Sequence, residues 1–246
     1  MTQPLASLPG RDVPIPTEMQ HAAGGSVTLV WQNEVGGLTG RVDGRSARYI
    51  KWNRLDSGES LAAEAQRLRW LAGRHPAPEV IDYVVTGEVE LLVTVALPGR
   101  SAVDPLWLSR PVDAIRAIAV GLRALHALPI DDCPFDWGVD ARLAAAEESA
   151  RTLPTALRRP PPLDRLVVCH GDACAPNTLL THDGSFLASV DMARLGIADR
   201  WADLAVATMS LGWNYADFDE RVFWNAYGID PDVERIDYYR TLYRAT

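Results

Sequence analysis

The stretch Val167–Leu180 reads VVCHGDACAPNTLL and determines how the rest of the chain is interpreted. An apolar run enters it and another leaves it, which is typical of two short buried strands joined by a polar loop. The loop carries Asp172 and, five positions later, Asn177, and a second apolar run then leads to Asp191. Asp and Asn are ordinary turn formers, so either loop alone indicates little. Their order and separation together favour a catalytic site.

Two acids and one amide in this order suit phosphoryl transfer. One carboxylate orients the attacking hydroxyl and accepts its proton, and we assign this catalytic role to Asp172. An amide oxygen and a second carboxylate hold Mg²⁺, which prefers a few hard oxygen ligands and keeps some water. We assign Asn177 and Asp191 to the metal. The expected cofactors are ATP and Mg²⁺, and the sequence leaves ATP against GTP open.

The loop is similar to the protein-kinase motif H-R-D-x-x-x-x-N, with Gly171 in place of the arginine. The H-G-D-x-x-x-x-N form, followed by DMARLGIADR over 191–200, resembles the aminoglycoside phosphotransferase family, and its 3′-phosphotransferase (kanamycin kinase) branch in particular. The resemblance implies an α+β, two-lobed protein-kinase-like fold. Residues 1–97 would form an N-terminal nucleotide-binding lobe, an antiparallel sheet with one helix. Residues 98–246 would form a mainly helical C-terminal lobe for catalysis and substrate binding.

The N-terminal part carries features expected of a nucleotide-binding lobe. Gly36 and Gly37 lie in a turn between predicted strands, where glycines let backbone amides approach phosphates, although glycine turns are common in hairpins. Lys51 in the next predicted strand matches the lysine that contacts nucleotide phosphates in kinases. Apolar spacing predicts a helix over 61–72. The resemblance implies that Glu64 on this helix pairs with Lys51, whereas the residues alone favour a solvated acid in a first helical turn.

Two segments of this lobe have weaker signals. Residues 1 to about 25 contain proline and glycine without a clear pattern, and we expect an irregular lead-in. The resemblance places a hinge near residues 95–97, where backbone groups of Val95 and Leu97 would bond the adenine edge. The residues themselves show only a Pro-Gly linker there.

The resemblance implies an aminoglycoside antibiotic as the acceptor, phosphorylated on its 3′-hydroxyl, with antibiotic resistance as the result. Arg194 and Thr246 match positions that lie near the substrate in the family. The chain departs from the family pattern at the expected acceptor walls. A short, basic, proline-rich segment over 153–162 replaces the acidic helical insertion, and Trp213 and Arg244 stand where charged or acidic residues are usual.

Two other interpretations stay open, and these departures favour the first of them. The same kinase chemistry could act on a different natural product, a sugar or an amino alcohol. The chain could also be a nucleotide-binding pseudokinase, although all the expected catalytic residue types are present. A binding module would show saturable nucleotide binding without acceptor-dependent release of ADP.

Composition sets broad limits. The chain has 246 residues, of which 48% are hydrophobic and 23% charged, as in a soluble globular protein of one or two domains. A net charge of −8 argues against a nucleic-acid partner, because such proteins normally carry a basic face. The three cysteines lack metal or redox spacing, and no signal peptide or spanning segment is evident. We therefore expect a cytoplasmic protein with a small-molecule substrate and no membrane partner. The sequence leaves its oligomeric state open.

Overall fold

The computed structural model describes residues 6–7, 10 and 12–246, which form two compact units. The first unit comprises the described residues up to Ala72 together with Ala77–Leu97. The second comprises Gly73–Pro76 and Pro98–Thr246. Residues 73–76 thus belong to the second unit, although they lie within the N-terminal part of the chain. Among the helices of these described ranges, none is long and apolar enough to cross a membrane.

The first unit contains an antiparallel sheet, as predicted. Its strands are β1 (Ala6–Ser7), β2 (Thr28–Asn33), β3 (Leu38–Val42), β4 (Arg48–Arg54), β5 (Val80–Thr86) and β6 (Val89–Val95). They lie in the order β1-β2-β3-β4-β6-β5. β2 and β3 form a hairpin whose turn carries Gly36 and Gly37, and Lys51 lies in β4 opposite Thr39 of β3.

Two helices accompany this sheet in the described residues, α1 (Thr17–Ala23) and α2 (Leu61–Leu71). We expected residues 1 to about 25 to be irregular, and this prediction is wrong for α1. The expectation of one helix in this lobe is therefore incomplete. Residues 1–5, 8, 9 and 11 lie outside the described residues. The helix is only seven residues long, so its periodicity is hard to detect in the sequence. Its stability depends on tertiary burial, and Met19 is fully buried against the sheet.

Local sequence explains where α2 begins. The Ser60 hydroxyl accepts a hydrogen bond from the Ala63 N–H (3.2 Å), the usual geometry of an N-cap. The carboxylate of Glu90 on β6 accepts two more of the first N–H groups, from Leu61 (2.7 Å) and Ala62 (3.1 Å). These bonds fix the start of the helix and therefore the position of Glu64, which is buried on the same face as its leucines.

The second unit is mainly helical, as predicted. Its helices are α3 (Pro105–Leu108), α4 (Pro111–Leu125), α5 (Val139–Glu148), α6 (Trp201–Asn214), α7 (Arg221–Tyr227) and α8 (Val233–Ala245). Helix α6 is almost wholly buried and packs against α8, while α4 packs against α7. The core includes the fully buried side chains of Trp107, Trp201 and Phe223.

Short strands in the second unit position the predicted catalytic residues. They are β7 (Arg100–Ser101), β8 (Leu166–Cys169), β9 (Thr178–Leu180), β10 (Phe186–Ser189) and β11 (Gly196–Asp199). β8 pairs with β11, and β9 lies between β10 and β7. The loop from Asp172 to Asn177 joins β8 to β9. Because Thr178 is opposite Ser189, the ladder brings the backbone near Asn177 close to the segment that leads to Asp191.

Candidate active site

The loop after β8 brings Asp172 and Asn177 together. The Asn177 Nδ2 group donates to the backbone oxygen of Asp172 (2.9 Å) and to its carboxylate Oδ2 (3.2 Å). Backbone bonds from Cys174 N–H to Asp172 O (2.8 Å) and from Asn177 N–H to Cys174 O (2.9 Å) fold the loop. The amide therefore uses its nitrogen to hold Asp172. This geometry leaves the Asn177 Oδ1 atom as the group suited to a hard cation.

The second acid, Asp191, lies next to the same loop. The Val190 N–H donates to Asn177 O (2.9 Å), and Val190 O accepts from His170 Nε2 (3.0 Å). Asp191 itself is exposed and has a φ of 62°, a left-handed conformation that is uncommon for a residue other than glycine. Backbone conformations of this kind persist where surrounding bonds hold them, and they cluster at functional sites. Asn177 and Asp191 are thus neighbours through the Val190 backbone, and their oxygen donors fit Mg²⁺.

The structure gives a physical reason for Gly171 in the motif. Its φ is +84°, a region that side-chain-bearing residues rarely adopt. A Cβ atom at this position would lie 2.1 Å from the backbone oxygen of Arg194, a contact that requires the backbone to shift. The H-G-D form of the loop therefore depends on the absence of a side chain where kinases have arginine.

Asp203 on α6 anchors the start of the loop. Its Oδ2 atom accepts from the His170 N–H (2.6 Å), and its Oδ1 atom accepts from the Gly171 N–H (3.0 Å). His126 Nε2 also donates to Oδ2 (3.0 Å), and His126 Nδ1 contacts the Tyr227 hydroxyl (2.8 Å). Burial would raise the pKa of Asp203, but the hydrogen bond from His126, with the further interactions of His126 and His170, outweighs it and lowers that pKa. A buried carboxylate therefore holds two backbone amides of the catalytic loop.

His126, Cys169 and Asp203 also bring three potential ligand atoms within 4.8 Å of one another. The Asp203 oxygens are already engaged by the loop amides, and burial raises the pKa of the Cys169 thiol well above its usual value. A protonated thiol is a poor metal ligand. This group is thus a hydrogen-bonded support, because its hard oxygen donors, those of Asp203, already accept bonds from the loop amides and from His126.

In the first unit, the predicted lysine and glutamate form an ion pair. Lys51 Nζ donates to both carboxylate oxygens of Glu64, each at 2.7 Å. Only 3% of Glu64 is exposed, so the carboxylate is not a solvated acid of a first helical turn. A buried partner of this kind fixes the direction of the lysine ammonium group.

The family model for the phosphotransferase enzyme family matches residues 41–239, a range that includes the ion pair, the catalytic loop and Asp203. The chain belongs to the phosphotransferase enzyme family. Streptomycin 3″-kinase of Streptomyces griseus is 34% identical, over 79% of this chain and 83% of that protein.

Solved structures support the same assignment. A crystal structure of an aminoglycoside-3′-phosphotransferase of type VIII has a TM-score of 0.75 and 30% identity, and covers 88% of this chain and 92% of that one. Aminoglycoside phosphotransferase APH(3″)-Id from Streptomyces rimosus, in complex with ADP and streptomycin, has a TM-score of 0.66 and 27% identity, over 90% of this chain and 94% of that one. The predicted family and the kinase-like α+β fold are confirmed.

The other residues of this phosphotransferase that we predict to contact the nucleotide would do so through backbone groups. In the β2–β3 turn, Gly36 has a φ of +84°, and the Gly37 N–H donates to Asn33 Oδ1 (2.5 Å). The Val95 N–H donates to Glu79 O (2.9 Å), so a nucleotide contact at Val95 would use its carbonyl group. Leu97 is half-buried at the end of the first unit. Their contacts with a nucleotide stay predictions.

The two predicted acceptor residues of the phosphotransferase lie against other arginine and aromatic side chains. The Arg194 guanidinium is 5.9 Å from the ring centre of Trp137. The Thr246 hydroxyl accepts from Arg142 Nη2 (2.8 Å), and the Thr246 carbonyl oxygen accepts from Arg151 (3.0 Å). Substrate contacts of Arg194 and Thr246 stay predictions.

Two residues that contact Asp172 were not predicted from the sequence. The Tyr243 hydroxyl on α8 donates to Asp172 Oδ1 (3.0 Å), and the Cys174 thiol approaches the same oxygen (3.1 Å). The cysteine spacing had indicated no metal or redox role for Cys174. The contact of Tyr243 had no sequence signal, because 71 positions separate it from Asp172. Helical spacing does place Tyr243 four residues after the buried Tyr239, on a face of α8 that packs inward.

Proposed function

We propose that this phosphotransferase transfers the γ-phosphate of ATP to a hydroxyl group of an aminoglycoside antibiotic, and that it thereby confers resistance. The observation that carries the proposal is the bond from Asn177 Nδ2 to Asp172 Oδ2, beside the segment that leads to Asp191. This bond holds the Asp172 carboxylate beside the Asn177 amide, and kinase chemistry uses a carboxylate next to oxygen donors of this kind. The names of the related enzymes, and the ADP and streptomycin bound to one of them, support the nucleotide and the acceptor class.

Each part of the nucleotide is assigned to particular residues. Lys51, aimed by Glu64, contacts the α- and β-phosphates, and the backbone of Gly36 and Gly37 lies along the phosphates. Backbone groups of Val95 and Leu97 bind the adenine edge. Asn177 Oδ1 and the Asp191 carboxylate hold Mg²⁺, which neutralises phosphate charge when bound.

Asp172 accepts the hydrogen bond of the acceptor hydroxyl and directs its oxygen at the γ-phosphorus. The new oxygen–phosphorus bond forms as the bond to the ADP oxygen breaks, and Asp172 takes the hydroxyl proton late. Because the transition state is loose, a strong base is unnecessary, and positioning with charge stabilisation supplies most of the rate. Arg194 and Thr246 are assigned to the acceptor side.

We place the reaction on the 3′-hydroxyl. The 3″-hydroxyl of streptomycin is the second candidate, because the streptomycin 3″-kinase of S. griseus is 34% identical to this chain. An acceptor panel separates the two, since a 3′-deoxy aminoglycoside lacks the first hydroxyl and streptomycin carries the second.

The test is coupled ADP release by the purified chain with Mg²⁺ and ATP, in the presence of kanamycin, neomycin, a 3′-deoxy aminoglycoside or streptomycin. Turnover on kanamycin and neomycin, but not on the 3′-deoxy compound, supports 3′ transfer, and turnover on streptomycin alone supports 3″ transfer. If all four are silent while ATP still binds, the aminoglycoside proposal is wrong. Sugars and amino alcohols are then the next acceptors, and silence on these as well indicates a pseudokinase.

A further inference from the structure

The two carboxylate oxygens of Asp172 have different surroundings. Oδ1 accepts from two donors, the Tyr243 hydroxyl (3.0 Å) and the Cys174 thiol (3.1 Å). Oδ2 accepts from Asn177 Nδ2, and no second donor reaches it among the residues that the structure describes. An incoming hydroxyl therefore finds its acceptor at Oδ2.

Both donors at Oδ1 keep their protons at neutral pH. Burial, followed by the nearby charge of Asp172, raises the pKa of the Tyr243 hydroxyl far above its ordinary value. The same two causes raise the pKa of the Cys174 thiol. Tyr243 thus acts as a constant hydrogen-bond donor that holds the carboxylate in one rotation.

The ring of Tyr243 also continues into an exposed aromatic surface. Trp213 on α6 lies with its ring centre 6.5 Å from that of Tyr243, at an interplanar angle of 41°. Trp213 is 57% exposed, so a large apolar ring faces water. It lies beside Tyr243, whose hydroxyl contacts the Asp172 carboxylate. Arg244 lies next along α8 and reaches Met209 Sδ (3.5 Å), one helical turn before Trp213. The surface beside Asp172 is therefore aromatic, with a positive rather than an acidic side chain at its edge.

We propose that Trp213 and Tyr243 form the acceptor subsite of this enzyme, an inference that rests on the proposed function. Trp213 binds the apolar C–H face of the reacting amino-sugar ring and attracts an ammonium group on that ring through its π face. Tyr243 positions Asp172 so that Oδ2 receives the hydroxyl of the ring. The subsite takes a ring with few ammonium groups, because Arg244 repels additional positive charge.

The test is steady-state kinetics and calorimetric acceptor binding with the full chain and three variants, Trp213→Leu, Tyr243→Phe and Tyr238→Phe. Each aminoglycoside of the panel serves as the probe. Tyr238 is the matched control, because it lies on the same helix but its hydroxyl donates to Leu157 O (2.8 Å). Thermal midpoints of all variants monitor folding.

The two roles predict different kinetic effects. Trp213→Leu should raise the acceptor KM and Kd about two- to thirtyfold while kcat stays close to wild type, because a binding contact is lost. Tyr243→Phe keeps the ring but loses the hydroxyl, so kcat should fall about tenfold with little change in acceptor KM. Tyr238→Phe should match wild type in both constants. The KM for ATP should be unchanged in every variant.

The proposal is overturned if wild type turns over an aminoglycoside but Trp213→Leu keeps its KM and Kd, or if Tyr238→Phe reproduces the kcat loss of Tyr243→Phe. Either result leaves the proposed function intact. If wild type neither phosphorylates nor binds any member of the panel, the proposed function fails, and the subsite fails with it.

Discussion

Asp203→Asn tests the support of the catalytic loop with a change of a single atom. The carboxylate accepts from the His170 and Gly171 N–H groups through different oxygens, and Asp203 is fully buried. Asparagine has one oxygen and one NH₂ group. In either orientation of the amide, at least one loop N–H faces another donor. The contact with His126 can survive, because its ring can change tautomer when the NH₂ group faces it.

The expected loss of stability follows from these contacts. One buried backbone N–H without an acceptor costs about 1–3 kcal/mol. The remaining bond loses its charge assistance, which removes roughly another 1 kcal/mol. The free energy of unfolding should therefore fall by about 2–4 kcal/mol, a loss that a domain of ordinary stability survives. Since the loop that carries Asp172 would then lose one of its anchors, kcat should fall about 10- to 100-fold.

Urea unfolding and acceptor-dependent ADP release measure the two effects, at a temperature where the variant stays folded. Asp199→Asn is the control, because Asp199 is also buried and also accepts from two backbone N–H groups, those of Trp201 (3.0 Å) and Asp164 (2.8 Å). It should lose stability while keeping kcat. A stability of Asp203→Asn within about 0.5 kcal/mol of wild type would refute the energetic reasoning. An equal kcat loss in Asp199→Asn would show that activity follows general stability.

Three other outcomes are expected. Asp172→Asn should lower kcat by at least about a hundredfold while calorimetry shows unchanged ATP affinity, and normal turnover would exclude this residue as the base. Gly171→Ala should lower the free energy of unfolding by about 2 kcal/mol or more in urea, because its Cβ meets Arg194 O at 2.1 Å, and wild-type stability would contradict that contact. Burial lowers the pKa of His75 from 6.5 to about 4, so the unfolded chain binds a proton at His75 more readily than the folded chain does. The free energy of unfolding should therefore be highest above pH 6.5 and fall by about 3 kcal/mol as the pH drops to 4. His75→Gln should flatten that part of the stability profile in urea melts at several pH values, and an unchanged slope would exclude His75 as its cause.

The catalytic loop was predictable because its information is local. Asp172 and Asn177 are five residues apart, and the strands on either side have apolar runs that identify the loop between them. The pairing of Lys51 with Glu64 needed the family resemblance, because the residues alone favoured a solvated acid. Its burial depends on how α2 packs, which a local pattern does not contain.

The features that were missed depend on distant parts of the chain. Helix α1 exists because Met19 finds a buried position against the sheet, a tertiary effect that overrides a weak local preference. The contact of Tyr243 with Asp172 joins residues 71 positions apart, and no periodicity in either segment indicates it. Gly171 was recognised as a departure from the protein-kinase motif, but the reason for it, the nearby Arg194 oxygen, required coordinates.

The short segment 73–76 bears on how this enzyme could be recombined with its relatives. It follows α2 in the chain, yet Pro76 O accepts from the Ser189 N–H (3.0 Å) and His75 Nε2 contacts the Ser189 hydroxyl (3.0 Å), two residues before Asp191. A chimera joined only at residue 97 would combine residues 98–246 of one parent with residues 73–76 of the other. Hybrids that carry residues 73–76 together with residues 98–246 would keep this pairing native, and their crossover points lie at 72/73, 76/77 and 97/98.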